Sequence, residues 1–249
     1  MHKLNTTRQQ VTTMKKRLLI LTTILTVLVS CDQKVKEVNN ESTLTTETNE
    51  NIDQDLKTFK LGFDFIAAVG QEEDFEKFKT YTFFQLTRNN KTIFIDSSLT
   101  EYEFGNELFP IVLKTGDNSF ELLFEINDRP SKNYLKRLII KNNKLVGQDK
   151  LPTFETIPKD VDDNGTLEYA GYWDYPQTWG ENNTKTAYNP ILYYAVTKSG
   201  LQLDSVLTKE RNALIYGQFY GFNFSEDIEV TIDEKAKFDL EIRYIMTIK

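Results

Sequence analysis

The 249-residue chain contains one cysteine and one histidine. A lone Cys31 excludes a disulfide framework within the chain. The histidine is His2, ahead of every segment read below as mature protein, so the working chain has none. That excludes Ser-His-Asp and Cys-His nucleophilic catalysis, and any histidine-ligated zinc or iron site. No glycine-rich phosphate-binding loop is present. No aromatic residue occurs before Phe59, so the first quarter of the chain has little with which to build a core. The long apolar run Leu18–Ser30 has 13 residues, too few to span a bilayer. Positive charge is also scarce, with 30 Lys and Arg against 37 Asp and Glu. Five of those cations (Lys3, Arg8, Lys15, Lys16 and Arg17) precede Cys31, and removing them deepens the negative balance. Such a surface repels phosphate backbones, which argues against nucleic acid as a partner.

What is present begins with an address. Met14-Lys15-Lys16-Arg17 is a basic n-region and Leu18–Ser30 an apolar h-region, the pattern of a secretory signal, with Met14 read as the true start. Leu28-Val29-Ser30-Cys31 resembles the lipobox of bacterial lipoproteins. The resemblance implies a diacylglyceryl group on the Cys31 thiol, cleavage before Cys31 and acylation of the new N-terminus. Lipid chains in that number give stable membrane anchoring. The implied location is the cell envelope, at the outer membrane. Residues 1–30 are accordingly the signal peptide. Residues 31–57 are the lipidated cysteine and a polar tether rich in Asn, Thr, Glu and Gln, which lacks the apolar surface to offset ordering entropy and is expected to be disordered.

Residues 58–249 hold all 17 Phe, 12 Tyr and 2 Trp and read as a single all-β domain. Phe59, Leu61, Phe63 and Phe65 alternate with Lys60, Gly62 and Asp64, and Phe120, Leu122, Phe124 and Ile126 with Glu121, Leu123 and Glu125, each set reading as a half-buried strand. Phe238, Leu240, Ile242, Tyr244, Met246 and Ile248 share one face of a predicted closing strand. Asn89-Asn90, Asn142-Asn143 and Lys198-Ser199-Gly200 separate other apolar runs as hairpin turns, because Asn and Gly tolerate positive φ. Two short helices are predicted, Glu72–Lys79 and Thr208–Leu214, the latter with Thr208 as N-cap. The strands sum to roughly a dozen in an antiparallel meander. A propeller-like closure is the favoured form, with a β-sandwich as the alternative.

The acidic stretch Asp160-x-Asp162-x-Asn164-Gly165-Thr166-Leu167-Glu168 carries the chemical signature. A Ca²⁺ ion takes six to eight oxygens, and side chains at positions 1, 3 and 5 of a tight loop converge on one point. Gly165 permits the sharp turn, while the Thr166 carbonyl and the Glu168 carboxylate complete the set. Gly171 stands where an EF-hand has its bidentate glutamate, and the flanks are strand-like. The stretch instead resembles the Asp-x-Asp-x-Asp-Gly loop of FG-GAP and integrin-α-type β-propeller repeats, in which calcium staples a hairpin. The resemblance covers Leu151 to about Tyr175, and Asn164 replaces the third Asp. It implies Ca²⁺ held by Asp160, Asp162, Asn164, Thr166 and Glu168. The rival reading is a bare Asp163-Asn164-Gly165 turn with solvated acids.

Tyr172, Trp173, Tyr175 and Trp179 follow, interleaved with acids and amides. Exposed, they form a glycan- or peptide-binding surface; buried, they are core. The expected function is that of a membrane-anchored, non-catalytic envelope lipoprotein, a binding or structural module with one calcium-stabilised hairpin and a glycan or envelope protein as partner. The alternatives are a ligand-binding protein using the aromatic segment, or a carboxylate-dependent hydrolase drawing on acids such as Asp174, Glu181, Asp204 or Glu210.

Overall fold

The computed structural model describes residues 56–75, 78–175 and 177–231. The signal segment, Cys31, nearly all of the tether and the predicted closing strand at 238–248 lie outside the described residues.

The described chain is an antiparallel, all-β structure with one helix, and none of its sheets closes into a barrel. Two four-stranded meanders come first. β1 (Lys57–Gly62), β2 (Phe65–Phe75), β3 (Phe78–Arg88) and β4 (Lys91–Asp96) form one. After β5 (Tyr102–Glu103), the second comprises β6 (Ile111–Gly116), β7 (Ser119–Ile126), β8 (Tyr134–Lys141) and β9 (Lys144–Pro152). Two-residue β5 joins them, pairing Tyr102 with Tyr81 of β3 and with Ile126 of β7. The product is one nine-stranded sheet folded over an aromatic core. Phe65 meets Phe120 edge-on at 5.1 Å, Phe84 meets Phe124 at 4.8 Å, and Phe84 stacks on Tyr102 at 4.3 Å between ring centroids. Each such pair adds about 1 kcal/mol to the area its rings bury.

Two smaller sheets follow. β10 (Glu168–Gly171), β13 (Leu192–Thr197) and β14 (Gly200–Leu203) form one, and β11 (Thr178–Trp179), β12 (Lys185–Tyr188) and β15 (Ser225–Thr231) the other. Helix α1 (Ser205–Tyr216) lies between β14 and β15 in the chain. Among the described residues the sheets have nine, three and three strands, an antiparallel all-β meander in which the largest sheet holds both four-stranded units. Leu123, Leu135 and Leu151, on the outer face of β7–β9, pack with Phe154, Tyr169, Leu192, Tyr194 and Leu201. β7, half-buried by its alternation, is thereby buried on both faces, and Glu121 and Glu125 are 5% and 6% exposed. Glu121 is compensated by the Leu201 backbone N–H at 3.0 Å and by Arg137 at 3.6 Å.

The Asn-Asn turns occur as expected, with Asn89, Asn90, Asn142 and Asn143 all at positive φ. Three local expectations are corrected. The alternation from Phe59 through Phe65 is two strands, because the chain reverses at Phe63 and Asp64, both at positive φ (49° and 64°). The described residues of Glu72–Lys79 are strand in place of the predicted helix: Glu72 pairs with Tyr81, Glu73 with Thr80 and Asp74 with Lys79 in the β2–β3 ladder. There Glu72 receives both Lys57 and Lys79, and sheet pairing overrides helix propensity. The second helix starts at Ser205 rather than Thr208. Asp204 is its N-cap, accepting from the Val206 and Leu207 N–H groups, and Gly217 (φ 77°) ends it. Thr208 is instead wholly buried, its hydroxyl accepting from Tyr193 N–H at 3.1 Å. One turn on, the buried Asn212 accepts from Ile191 N–H at 2.9 Å and donates to Ile191 O at 2.7 Å. The helix thus satisfies backbone groups at the start of β13, next to β10 and the acidic hairpin.

Candidate functional site

Beyond β9 the chain doubles back on itself. Phe154 bridges to Gly171 and Lys159 to Glu168, so residues 160–167 form the tip of an antiparallel hairpin whose return arm is β10. A methyl group on Gly171 would sit 2.5 Å from the Thr153 carbonyl oxygen, so the two arms touch there. The position at which an EF-hand needs a long carboxylate is closed by backbone.

Within the tip each acid organises a turn. Asp160 accepts from Asn164 N–H at 3.0 Å and from Gly165 N–H at 2.8 Å. Asp162 accepts from the Asn164 side-chain amide at 2.9 Å, and Asn164 Oδ1 accepts from Thr166 N–H at 2.7 Å. Asp163 and Gly165 supply the positive φ values of the bend. Asp162 and Asn164 are exposed, Asp160 and Thr166 half-buried, and Glu168 is 2% exposed.

The structure brings together Asp160, Asp162 and Glu168, each offering an oxygen within 4.8 Å of the others. Two oxygens that share one ion at about 2.4 Å lie no more than about 4.8 Å apart, so this spacing suits a calcium ligand set. Without a cation, each like-charge pair at that separation is unfavourable by between about 1 kcal/mol in water and about 3 kcal/mol at an effective dielectric near 20. Glu168 carries most of the tension. Its Oε2 accepts from Val161 N–H at 3.0 Å, whereas its Oε1 is buried with no hydrogen-bond partner. Burial pushes its pKa up, the Val161 N–H opposes that, and the charges of Asp162, Asp160 and Asp204 push it further up. Across the bridge, the Lys159 ammonium is also buried without a hydrogen-bond partner, and burial lowers its pKa. Asn164, one of the five expected ligands, is occupied with Asp162 and Thr166 as described.

The aromatic segment divides. Tyr172 and Trp173 are half-buried against two hydrophobic cores, and the Lys132 ammonium stands 4.4 Å above the Tyr172 ring centroid. Tyr175 and Trp179 are 53% and 36% exposed and line a cleft of about 290 Å³ with Asp174, Gln177, Phe224 and Glu226. The Trp179 indole N–H donates to Glu229 at 3.3 Å, and Glu229 is paired with Lys185 at 2.7 Å, so the ring is held from behind. Sequence reasoning missed Phe224, Glu226 and Glu229, which only the β12–β15 pairing brings alongside.

Among the acids considered for hydrolysis, Asp204 is the helix cap, Glu181 and Glu210 are exposed, and Asp174 lines the cleft. A closer carboxylate pair lies elsewhere. Glu103 and Glu125 both accept from Asn133 Nδ2, at 3.1 and 3.2 Å. Burial, and then the charge of Glu125, raise the pKa of Glu103. Arg129 faces Glu103 at 3.3 Å and Asn106 donates to Glu125 at 3.0 Å, an arrangement that holds loops to β5 and β7. No protein-family model matches the chain, and no curated protein or solved structure is significantly similar to it.

Proposed function

We propose that this chain is a non-catalytic, lipid-anchored envelope protein, a binding or structural module whose Asp160–Glu168 hairpin is stapled by Ca²⁺. The observation that carries the metal reading is the buried, unpartnered Glu168 Oε1 beside Asp160 and Asp162. A bare turn has no use for a third carboxylate sunk out of water, whereas a hard cation satisfies the orphaned oxygen and cancels the repulsion. Asp160, Asp162 and Glu168 would hold the ion, with the Thr166 carbonyl, water and the second lone pair of Asn164 Oδ1, whose first is taken by Thr166 N–H, completing the shell. Bound there, calcium supplies charge neutralisation and a cross-link within the hairpin. The lipid on Cys31 and the outer-membrane location are supported by the signal and lipobox pattern of residues 14–31.

The test is a thermal melt of the mature chain in EDTA and in rising CaCl₂. An extracellular-type affinity of roughly 10⁻⁴–10⁻³ M gives about 1.4 kcal/mol at ten times the dissociation constant. In a domain of this size that raises Tm by about 3–6 °C. Asp162→Ala abolishes the shift. An unchanged midpoint in the wild type rejects calcium.

A second reading, favoured by the exposure of Tyr175 and Trp179 on one cleft, makes that cleft the place where the module meets a glycan or peptide.

A further inference from the structure

The cleft on the β11–β12–β15 sheet has a definite chemical character. Asp174, Tyr175, Gln177, Trp179, Phe224 and Glu226 line it, together with the buried Ala187. Among the described residues, two acidic and three aromatic residues therefore line one space of about 290 Å³, and neither lysine nor arginine is among them. Lys185, on the neighbouring strand, is engaged with Glu229 at 2.7 Å. Asp174 is fixed in place, its Oδ1 accepting from Tyr175 N–H at 2.7 Å. Trp179 is fixed through its indole N–H on Glu229.

Three classes of ligand can be compared against this lining. A neutral sugar presents hydroxyls that both donate and accept, and is best met by a mixture of donors and acceptors. Here, among the described residues, the two carboxylates only accept, the side-chain donors are the Gln177 amide and the Tyr175 hydroxyl, and the Trp179 N–H is engaged with Glu229, so negative charge dominates the lining. A hard metal ion needs a cage of oxygens, yet among the described residues the acidic cluster with ligand spacing is Asp160, Asp162 and Glu168, and neither Asp174 nor Glu226 joins one. An organic cation matches both halves of the lining. Its charge is attracted by the carboxylates and by the negative faces of the rings, while its alkyl groups lie against aromatic surface. The volume suits a single ammonium head with its substituents rather than a chain of sugar rings.

We infer that this cleft binds an organic ammonium group, either a primary amine such as a lysine side chain or a methylated ammonium such as a choline head. The inference rests on the reading of the Tyr175–Trp179 cleft as a ligand site and names the chemistry of its ligand. Glu226 and Asp174 supply the countercharge, and Trp179, Tyr175 and Phe224 the cation–π faces. Glu229 and Lys185 act as positioning residues for the indole.

The experiment is a titration of the ¹⁵N-labelled mature chain, following the two tryptophan indole N–H resonances. Tetramethylammonium and Nα-acetyl-lysine amide are the cationic probes and separate the two sources of ammonium. The neutral isostere 3,3-dimethyl-1-butanol, a panel of neutral saccharides and NaCl at matched ionic strength are the controls. The Trp179 resonance shifts saturably with one cationic probe while that of Trp173, half-buried against the core and outside the cleft lining, stays still. Glu226→Gln weakens that binding about tenfold, and Phe224→Leu by about threefold to tenfold, with both variants keeping the dispersed spectrum of the wild type. Equal affinity for 3,3-dimethyl-1-butanol overturns the inference. Saturation by a saccharide without saturation by either cation also overturns it and leaves the cleft reading standing. A Trp179 resonance indifferent to every probe sinks both.

Discussion

Glu168→Gln is the sharpest perturbation, because it separates a strained metal ligand from an ordinary turn residue. Glu168 is 2% exposed, and its oxygen lies within 4.8 Å of those of Asp160 and Asp162. Burial foremost, then those neighbouring charges, hold its folded pKa above its ordinary value. A carboxylate whose folded pKa is raised keeps its proton longer in the native state than in the unfolded one. Its contribution to stability is therefore fully present below the unfolded pKa, near 4.3, and is lost as pH rises through the folded value. Glutamine has no such dependence. It can leave an oxygen for Val161 N–H and turn its amide hydrogens toward the two aspartates. In EDTA at pH 7 the variant is expected to be more stable than the wild type by about 1–2 kcal/mol, the relief of two repulsive pairs discounted for the exposure of Asp162. That is a rise of about 3–6 °C in Tm. The difference shrinks toward pH 4. Saturating Ca²⁺ at pH 7 raises the wild type and leaves the variant nearly unmoved. Calorimetric melts at pH 4, 5.5 and 7, with EDTA and with CaCl₂, decide it. A metal-free variant that melts below the wild type at pH 7, by the same margin as at pH 4, would refute the argument.

Two further outcomes follow from groups buried elsewhere in the fold. Asn212→Leu strands the Ile191 N–H and carbonyl in the core and lowers stability by about 2–4 kcal/mol in a urea titration, while Asn212→Gln recovers little because its amide is one methylene too far out. Asp96 is buried, which alone would raise its pKa, but hydrogen bonds from Lys136, Ser98 and Tyr102 more than offset this and hold it well below the carboxylate range. Its stabilisation is present above the unfolded pKa and lost as pH falls through and below it, so the urea midpoint drops on the acid side of pH 4. Asp96→Asn loses about 2 kcal/mol at pH 7 and flattens that acid limb.

Which parts of the fold were legible follows from the range of the forces involved. Asn89-Asn90 and Asn142-Asn143 announce their turns because the preference for positive φ resides in the asparagine itself. Phe63-Asp64 makes the same kind of turn with a residue that has no such preference, so the apolar alternation runs through it undisturbed. The burial of both faces of β7 is hidden for a different reason. Period-two alternation distinguishes two faces of a strand but cannot say that both are covered, and here the outer face is covered by residues such as Phe154 and Leu201 that arrive later in the chain. Glu72–Lys79 shows the remaining failure, a segment with helix-forming residues drawn into a ladder by partners on β3 and by Lys57.

The acidic loop obeys the same division. Its turn chemistry is local: Asp160, Asp162 and Asn164 fold onto the amides that follow them within five residues, which the sequence pattern expresses directly. Those bonds would be equally good in a bare turn and carry no information about a metal. The discriminating feature is the burial of Glu168, and that is non-local. It comes from β10 pairing with β13 on one side, from Val161 entering the core formed with Tyr193, Leu207 and Ile215, and from Arg211 of α1 binding the Val161 carbonyl at 2.7 Å. The cleft repeats the pattern, with Tyr175 and Trp179 readable as loop aromatics and Glu226 unreadable until β15 lies beside β12. In both places the local sequence supplies the turn or the rings, and a distant segment supplies the charge or the burial that the proposed ligand would answer.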